Sequence, residues 1–375
     1  MAGGDAGRPR RHPDRSRQRA LPVPVDGPDG RHRFHDLQRP GRAVNAPTDS
    51  AVLEGGRGAA NRAVRFRRYG GPEVLEVLAV PRPVATPGTV VVEVVSAALN
   101  PGEIGIREGA FALMWPATFP EGQGNDFSGV VAEVGPGVHG VQVGDAVLGF
   151  TPRAAQAQFV LTSPDRLAPL PPGLGWDEAA SIAGAGATAW AAVRAVDPRA
   201  GETVLVSAAA GGVGVVATQL ALLRGARVVG TVGEANEEFL TSLGAVPVRY
   251  GPGLLERVRA AAPQGLDACV DTFGPPNAEV ALALGVPAHR VNTLADGRAV
   301  QRYGVRHEAQ EQADTPQVWS ELAQLVAQGR LHIPIAATYP MTEVAQAYRD
   351  LGARHVRGKR VLHIASAAGR AELTR

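Results

Sequence analysis

The chain has 375 residues, 45% of them hydrophobic, which is enough for two domains with sizeable cores. A formal net charge of +2 excludes the global basic field of a nucleic-acid binder, and an aromatic share of 5% leaves few base-stacking surfaces. Cys269 is the only cysteine, so neither an intrachain disulfide nor a multi-cysteine zinc site can form within the chain.

Cys269 sits in a strand-like run, Asp267-Ala-Cys-Val-Asp271, and reads as a buried, inert thiol. Lys359 is the only lysine; the basic residues are otherwise arginine, a bias that coding drift in a GC-rich genome explains without function. No apolar run reaches the roughly 20 residues of a membrane helix, and no signal-peptide core stands near the start. The expectation is a cytoplasmic enzyme with no membrane contact.

Residues 1–62 are rich in Arg, Pro, Gly and Asp and lack periodic apolar positions, so they are expected to be a disordered extension. Order is expected from Ala63. Val64 to Tyr69 reads as a first strand, Gly70-Gly-Pro72 as a turn, and Val90 to Val95 as a strongly β-branched strand. Val130 to Val134, the turn Gly135-Pro-Gly137 and Val143 to Leu148 follow. Short strands punctuated by glycine predict a twisted, barrel-like β domain over 63–187.

From Thr188 strands and helices alternate. Thr203 to Ser207 is a strand and Val213 to Leu223 a helix. Arg227 to Thr231 is the next strand and Glu234 to Leu243 the next helix. Val246 to Tyr250, Asp267 to Asp271 and His289 to Thr293 continue the series. This alternation predicts a parallel, doubly wound α/β sheet over 188–315. Helix Val318 to Gln328, strand Ile335 to Tyr339, helix Met341 to Leu351 and strand Arg360 to Ile364 close the ordered part; residues 367–375 form a tail.

Ser207-Ala-Ala-Ala-Gly-Gly-Val-Gly214 directly follows a strand and opens a helix. Ala209, Gly211 and Gly214 fit a dinucleotide fingerprint with Ala in the first glycine place. A residue without Cβ at Gly211 lets backbone amides approach a pyrophosphate, Gly214 lets the helix sit close to the sheet, and the helix N-terminus favours an anion. Ala210, Gly212 and Val213 complete the cradle. NAD binders usually place an acid at the end of the second strand, to bond the ribose hydroxyls. Here that strand ends at Thr231, and Glu234 comes three residues later. The third strand ends in Arg249 and Tyr250, which could reach a 2′-phosphate. NADPH is therefore expected over NADH.

Ala63 to Leu75, Leu99-Asn-Pro101, Gly129 to Gly137 with Val143-Gly-Asp145, Ala185 to Trp190, Ala209 to Gly214 and Gly358 to Leu362 together resemble the zinc-independent quinone oxidoreductase and enone reductase-like branch of the medium-chain dehydrogenase/reductase superfamily. The resemblance runs from Ala63 to Ala365. It implies a GroES-like catalytic domain that takes back residues 316–366, a Rossmann domain, and a homodimer formed through the Rossmann edge. Three departures stand out. Where zinc-dependent relatives carry Gly-His-Glu, this chain has Gly122-Gln-Gly-Asn-Asp126, so neither zinc nor any other metal is expected. Glu103 stands where relatives often have Asp. Phe111 stands where enoyl reductases often keep a tyrosine, and a phenyl ring has no proton to give.

Asn100, held extended by Pro101, is the catalytic candidate, to polarise a carbonyl or orient the nicotinamide ribose. Thr188 is expected to bond the nicotinamide carboxamide. Asn292, Thr293, Thr272 and Phe273 end strands at the ligand edge of the sheet. Glu103, Arg107, Phe111 and Trp115 are candidates for the substrate cleft, and Asp126 reads as structural. The histidines have no metal-ligand spacing, and there is no supported Ser-His-Asp constellation. The expected reaction is hydride transfer from NADPH to a quinone or the β-carbon of an enone, without flavin and with the proton from solvent. An enoyl-thioester reductase and a non-catalytic NADPH-binding sensor are the alternatives.

Overall fold

The computed structural model describes residues 61–354 and 357–365. The N-terminal 60 residues and the tail lie outside the described residues. The boundary moves by two positions, because Asn61 and Arg62, expected in the extension, open the first strand.

That strand, β1 (Asn61–Phe66), pairs antiparallel with β2 (Glu76–Val80). β3 (Val90–Ala98) is β-branched in sequence and buried along nearly its whole length, because it is central. Helix α1 (Pro101–Glu108) follows at once. The domain continues through β4 (Glu121–Gly122), β5 (Asp126–Val134), β6 (Ala146–Phe150), β7 (Phe159–Thr162) and β8 (Leu167–Pro169). Helix α2 (Trp176–Ala179) and a π turn at Ile182–Gly186 lead into α3 (Ala187–Val196).

The second domain alternates without a break: β9 (Thr203–Val206), α4 (Gly214–Leu223), β10 (Arg227–Val232), α5 (Glu237–Ser242), β11 (Val246–Arg249), α6 (Leu254–Ala261), β12 (Ala268–Asp271), α7 (Asn277–Ala283), β13 (Val291–Thr293) and α8 (Gly297–Tyr303). The chain then runs through α9 (Pro316–Ala327), β14 (Ile335–Pro340), α10 (Val344–Gly352) and β15 (Lys359–His363).

Three sheets result. β2-β1-β4 form the smallest. The seven-stranded sheet runs β14-β15-β3-β5-β6-β8, with β7 also on β3; only β14 and β15 pair in parallel. The five-stranded sheet β11-β10-β9-β12-β13 is wholly parallel. Its order reverses at β9 and β12, which opens a crevice at their carboxyl ends, where ligands of doubly wound sheets bind.

β14, α10 and β15 return to the first domain. Helix α9 lies at the seam: Trp319, Leu322 and Ala323 belong to one core that holds Leu148 of β6 and Ala168 of β8 together with residues of α3, α4 and β9, and the helix packs directly on β8 and the π turn.

The Asn61 amide group donates to the Phe159 carbonyl at 3.0 Å and accepts from the Phe159 amide at 3.1 Å. Asn61→Ala should cost about 1–3 kcal/mol, since it strands buried backbone groups. A chain starting at Ala63 should melt lower than one starting at Asn61. Equal melting of the two truncations would contradict the role given to these first residues.

Candidate active site

A cleft of about 1140 Å³ lies between the domains, over the carboxyl ends of β9, β10 and β12. One wall is the loop Ala208 to Gly214, with Ala208, Ala210, Gly211, Gly212, Val213 and Gly214 all lining it. The loop is tied at both sides. Ala208 donates its amide to Thr231 Oγ1 at 3.0 Å, and the Ala209 amide donates to the Thr231 carbonyl at 2.9 Å. Ala208 is held at φ +45°, a conformation that costs a non-glycine residue energy and persists only where its surroundings impose it.

The small residues here have different jobs. A Cβ on Gly214 would lie 2.1 Å from the Ala208 carbonyl oxygen, so the fold itself forbids it. A Cβ on Gly211 would meet only Ala208, its carbonyl oxygen at 3.2 Å and its Cβ at 4.0 Å. Ala209 is fully buried and faces Gly230 in the sheet rather than the cleft.

Asp271, which sequence reasoning missed, anchors the neighbouring strand ends. It accepts from Ser207 Oγ at 2.6 Å, from Thr293 Oγ1 at 2.7 Å and from the amides of Phe273 and Gly274. Burial pushes its carboxyl pKa up, and these donors hold it back. Thr272 and Phe273 line the cleft. Thr272 Oγ1 donates to the Ser207 carbonyl at 2.7 Å.

Asn292 and Thr293 lie off the cleft, contrary to expectation. Both are fully buried. Asn292 exchanges hydrogen bonds with the Glu308 backbone, and Thr293 is taken up by Asp271. Thr188 is also diverted, its hydroxyl donating to the Gly184 carbonyl one turn back at 2.8 Å.

At the far end of the cleft stand Thr231, Glu234, Asn236 and half-exposed Tyr250. Arg249 does not line it. Its guanidinium pairs with Glu234 at 3.0 Å and Glu237 at 2.5 Å.

Asn100 lines the opposite wall and is extended, as Pro101 requires. Helix α1 then turns Pro101, Ile104, Gly105 and Glu108 toward the cleft. Glu103 and Arg107, four apart on the other face, are buried behind it. Their assignment to the substrate cleft is therefore corrected. Arg107 Nε donates to the Gly70 carbonyl at 3.1 Å. Phe111 and Trp115 pack on each other at 5.6 Å, with Phe111 against Gly105, and neither lines the cleft.

Glu103 belongs to a buried polar cluster. It accepts from the Asn100 amide at 3.0 Å, from Asn100 Nδ2 at 3.2 Å, from Asn125 Nδ2 at 3.2 Å and from the Tyr348 hydroxyl at 2.6 Å. Asn100 Nδ2 also reaches Asp126 Oδ2 at 3.2 Å. Lys359 Nζ donates to Asn100 Oδ1 at 2.6 Å and to the Leu99 carbonyl at 2.8 Å. Tyr348 and Lys359 were missed as members of this cluster. Burial pushes the Asp126 pKa up to about 7, against the pull of the Lys359 ammonium. Burial lowers the Lys359 pKa, and Asp126 and Glu103 oppose that shift.

Among the described residues no group of three or more His, Cys, Asp or Glu side chains is placed to hold a metal ion, and no helix is long and apolar enough to cross a membrane.

Residues 86–192 match the family described as alcohol dehydrogenase GroES-like domain, and residues 243–362 that described as zinc-binding dehydrogenase. The chain is 29% identical over 316 residues to the quinone oxidoreductase of Mus musculus, covering 77% of this chain and 93% of that protein. It is 30% identical over 328 residues to the mycocerosic acid synthase-like polyketide synthase of Mycobacterium tuberculosis, matching 81% of this chain but spanning only 15% of that protein's length. Among solved structures, the quinone oxidoreductase from Coxiella burnetii superposes with a TM-score of 0.74 at 29% identity, covering 82% of this chain and 100% of that one. An NAD-dependent alcohol dehydrogenase does so at 0.72 and 30%, with 81% and 100% covered. The Escherichia coli quinone oxidoreductase complexed with NADPH gives 0.73 and 25%, with 80% and 99% covered.

The chain belongs to the medium-chain dehydrogenase/reductase superfamily. As a quinone oxidoreductase-like member it is an oxidoreductase, built from a GroES-like and a Rossmann domain. The superfamily's two-domain plan accounts for the cleft between the sheets.

The raised Asp126 pKa has a signed consequence. Its folded value of about 7 exceeds the ordinary 3.8, so the folded state holds the proton more tightly. Its stabilising contribution is complete below the ordinary value and is lost as pH rises through the folded one. The stability of the parent relative to Asp126→Asn should therefore fall between about pH 4 and about pH 7 in denaturant melts. A difference that grows with pH would contradict the assignment.

Proposed function

We propose that the cleft binds NADPH and that the protein reduces a quinone or the C=C bond of an enone, without zinc and without flavin. The observation that carries this reading is Gly211, whose missing side chain leaves the cleft wall open beside the first turn of α4. A dinucleotide pyrophosphate suits such a place, since backbone amides and the helix dipole meet it with no Cβ in between. The NADPH-complexed quinone oxidoreductase among the similar structures supports the choice of cofactor. Thr231, Thr272, Phe273 and Tyr250 would hold the rest of the molecule.

Arg249 bears on NADPH against NADH. Its contacts with Glu234 and Glu237 are exposed and screened by solvent, so a 2′-phosphate can compete for the guanidinium. The absence of zinc is proposed from the donor set. Around Asn100 the polar groups are amides, carboxylates and an ammonium, and the ammonium already supplies the positive charge a metal would bring.

When bound, the dihydronicotinamide supplies the hydride. The chain's residues exclude water and hold the reactants together. Asn100 has both N–H groups on Glu103 and Asp126 and its oxygen on Lys359, so of its two expected roles the one left is to orient the nicotinamide ribose, whose hydroxyl the second Oδ1 lone pair would accept. Solvent supplies the proton at the α-carbon. A second reading, an enoyl-thioester reductase, is favoured by the match to a stretch of the polyketide synthase. It uses the same chemistry on a longer substrate. We also propose a homodimer through the Rossmann edge, which light scattering in solution would test.

Gly211→Val should fold and lose NADPH binding, whereas Gly214→Ala should lose stability first, because its Cβ strikes the loop backbone. If the Gly211 variant binds NADPH as tightly as the parent, the cradle is misassigned. An enone reduced with NADPH deuterated at the transferable position should carry the label on its β-carbon. Label on the carbonyl carbon would mark an alcohol-forming reductase instead. Asn100→Ala should slow turnover roughly 100-fold, the scale for a reactant misplaced by about 1 Å.

A further inference from the structure

We propose that Lys359 is a positioning residue that couples the cofactor loop to Asn100, with its remaining N–H directed to the pyrophosphate or nicotinamide-ribose part of the dinucleotide. The proposal rests on reading the cleft as a dinucleotide site.

Three observations meet at this side chain. First, its backbone is joined to the loop: the Gly358 amide donates to the Ala210 carbonyl at 2.8 Å, and Gly211 and Gly358 form a parallel bridge. Second, its aliphatic stem runs over Gly212, where an added Cβ would lie 2.8 Å from Lys359 Cδ. Gly212 is bare because the lysine needs that path. Third, the ammonium ends on Asn100 Oδ1 and the Leu99 carbonyl, although it is almost wholly buried.

An ammonium has three N–H groups and no acceptor. Two are used, the third has no protein partner among the described residues, and Lys359 lines the cleft. The bond to Oδ1 also decides the Asn100 flip. With its oxygen on the cation, its NH₂ must face Glu103 and Asp126, as it does. One side chain therefore joins the loop that would hold the cofactor to the Asn100 amide on the opposite wall of the cleft.

Because Lys359 is the only lysine, feeding lysine labelled with nitrogen-15 at Nζ gives a single side-chain signal. In the full-length protein, NADPH should shift that signal, and adenosine 2′-monophosphate, which lacks the pyrophosphate and nicotinamide, should leave it unmoved. Lys359→Met keeps the stem without the charge. It should weaken NADPH roughly 10–100-fold, as for loss of one charged hydrogen bond, while adenosine 2′-monophosphate binds as before. Lys359→Cys alkylated with bromoethylamine, which restores an ammonium on a stem of equal length, should recover affinity. Equal weakening of both ligands would mark a merely structural role and overturn the proposal. So would a signal that NADPH leaves unmoved although it binds. Should the Met variant not fold, the labelled parent decides alone. If the parent itself does not bind NADPH, the reading of the cleft fails, and the coupling with it.

Discussion

An ammonium taken out of water must be given acceptors and counter-charge, and that requirement organises the centre of this molecule. Lys359 can be buried only because β15 lies beside the end of β3, where the Leu99 carbonyl and Asn100 stand, with Asp126 and Glu103 behind them. Those carboxylates are tolerated in turn because the ammonium, Asn100, Asn125 and Tyr348 face them. Removing one member leaves the others buried and short of partners. That is costly, so the strand pairings that gather them are fixed with respect to one another.

The same strand joins the domains. β15 belongs to the seven-stranded sheet, yet the residue before it is bonded to the glycine-rich loop of the five-stranded one. Gly214 and Ala209 serve the packing of helix on sheet, Gly212 makes way for the lysine stem, and Gly211 keeps the cleft open. Asp271 works from the other side, binding the ends of β9, β12 and β13 through Ser207, its own loop amides and Thr293. The cleft is thus walled by backbone held from both domains, as a site that must hold reactants in one geometry requires.

Much of this architecture was legible in the sequence. The β-branched run of β3, the alternation after Thr188 and the strand–glycine–helix context of the loop each report a local period or a backbone need, which neighbours along the chain determine. What failed concerned side-chain direction. Glu103 and Arg107 lie within a few residues of Asn100, but the helical turn carries them to its far face. Asn292 and Thr293 end a strand at the ligand edge, but Glu308 and Asp271 claim their polar groups. The cluster around Asn100 joins residues up to 260 positions apart, a relation that no local pattern carries. One signal was available. A sole lysine between Gly358 and the apolar pair Val361-Leu362 of the closing strand is a charge placed where a strand enters the interior.

The cleft is proposed to bind NADPH and to deliver its hydride to an unsaturated or quinoid acceptor. The most direct test is loss of nicotinamide absorbance when the purified protein meets NADPH with a panel of quinones, enones and enoyl thioesters, with NADH alongside. The account predicts turnover of at least one such acceptor, faster with NADPH than with NADH. Tight NADPH binding with no acceptor turned over would contradict it and mark the protein as a cofactor sensor.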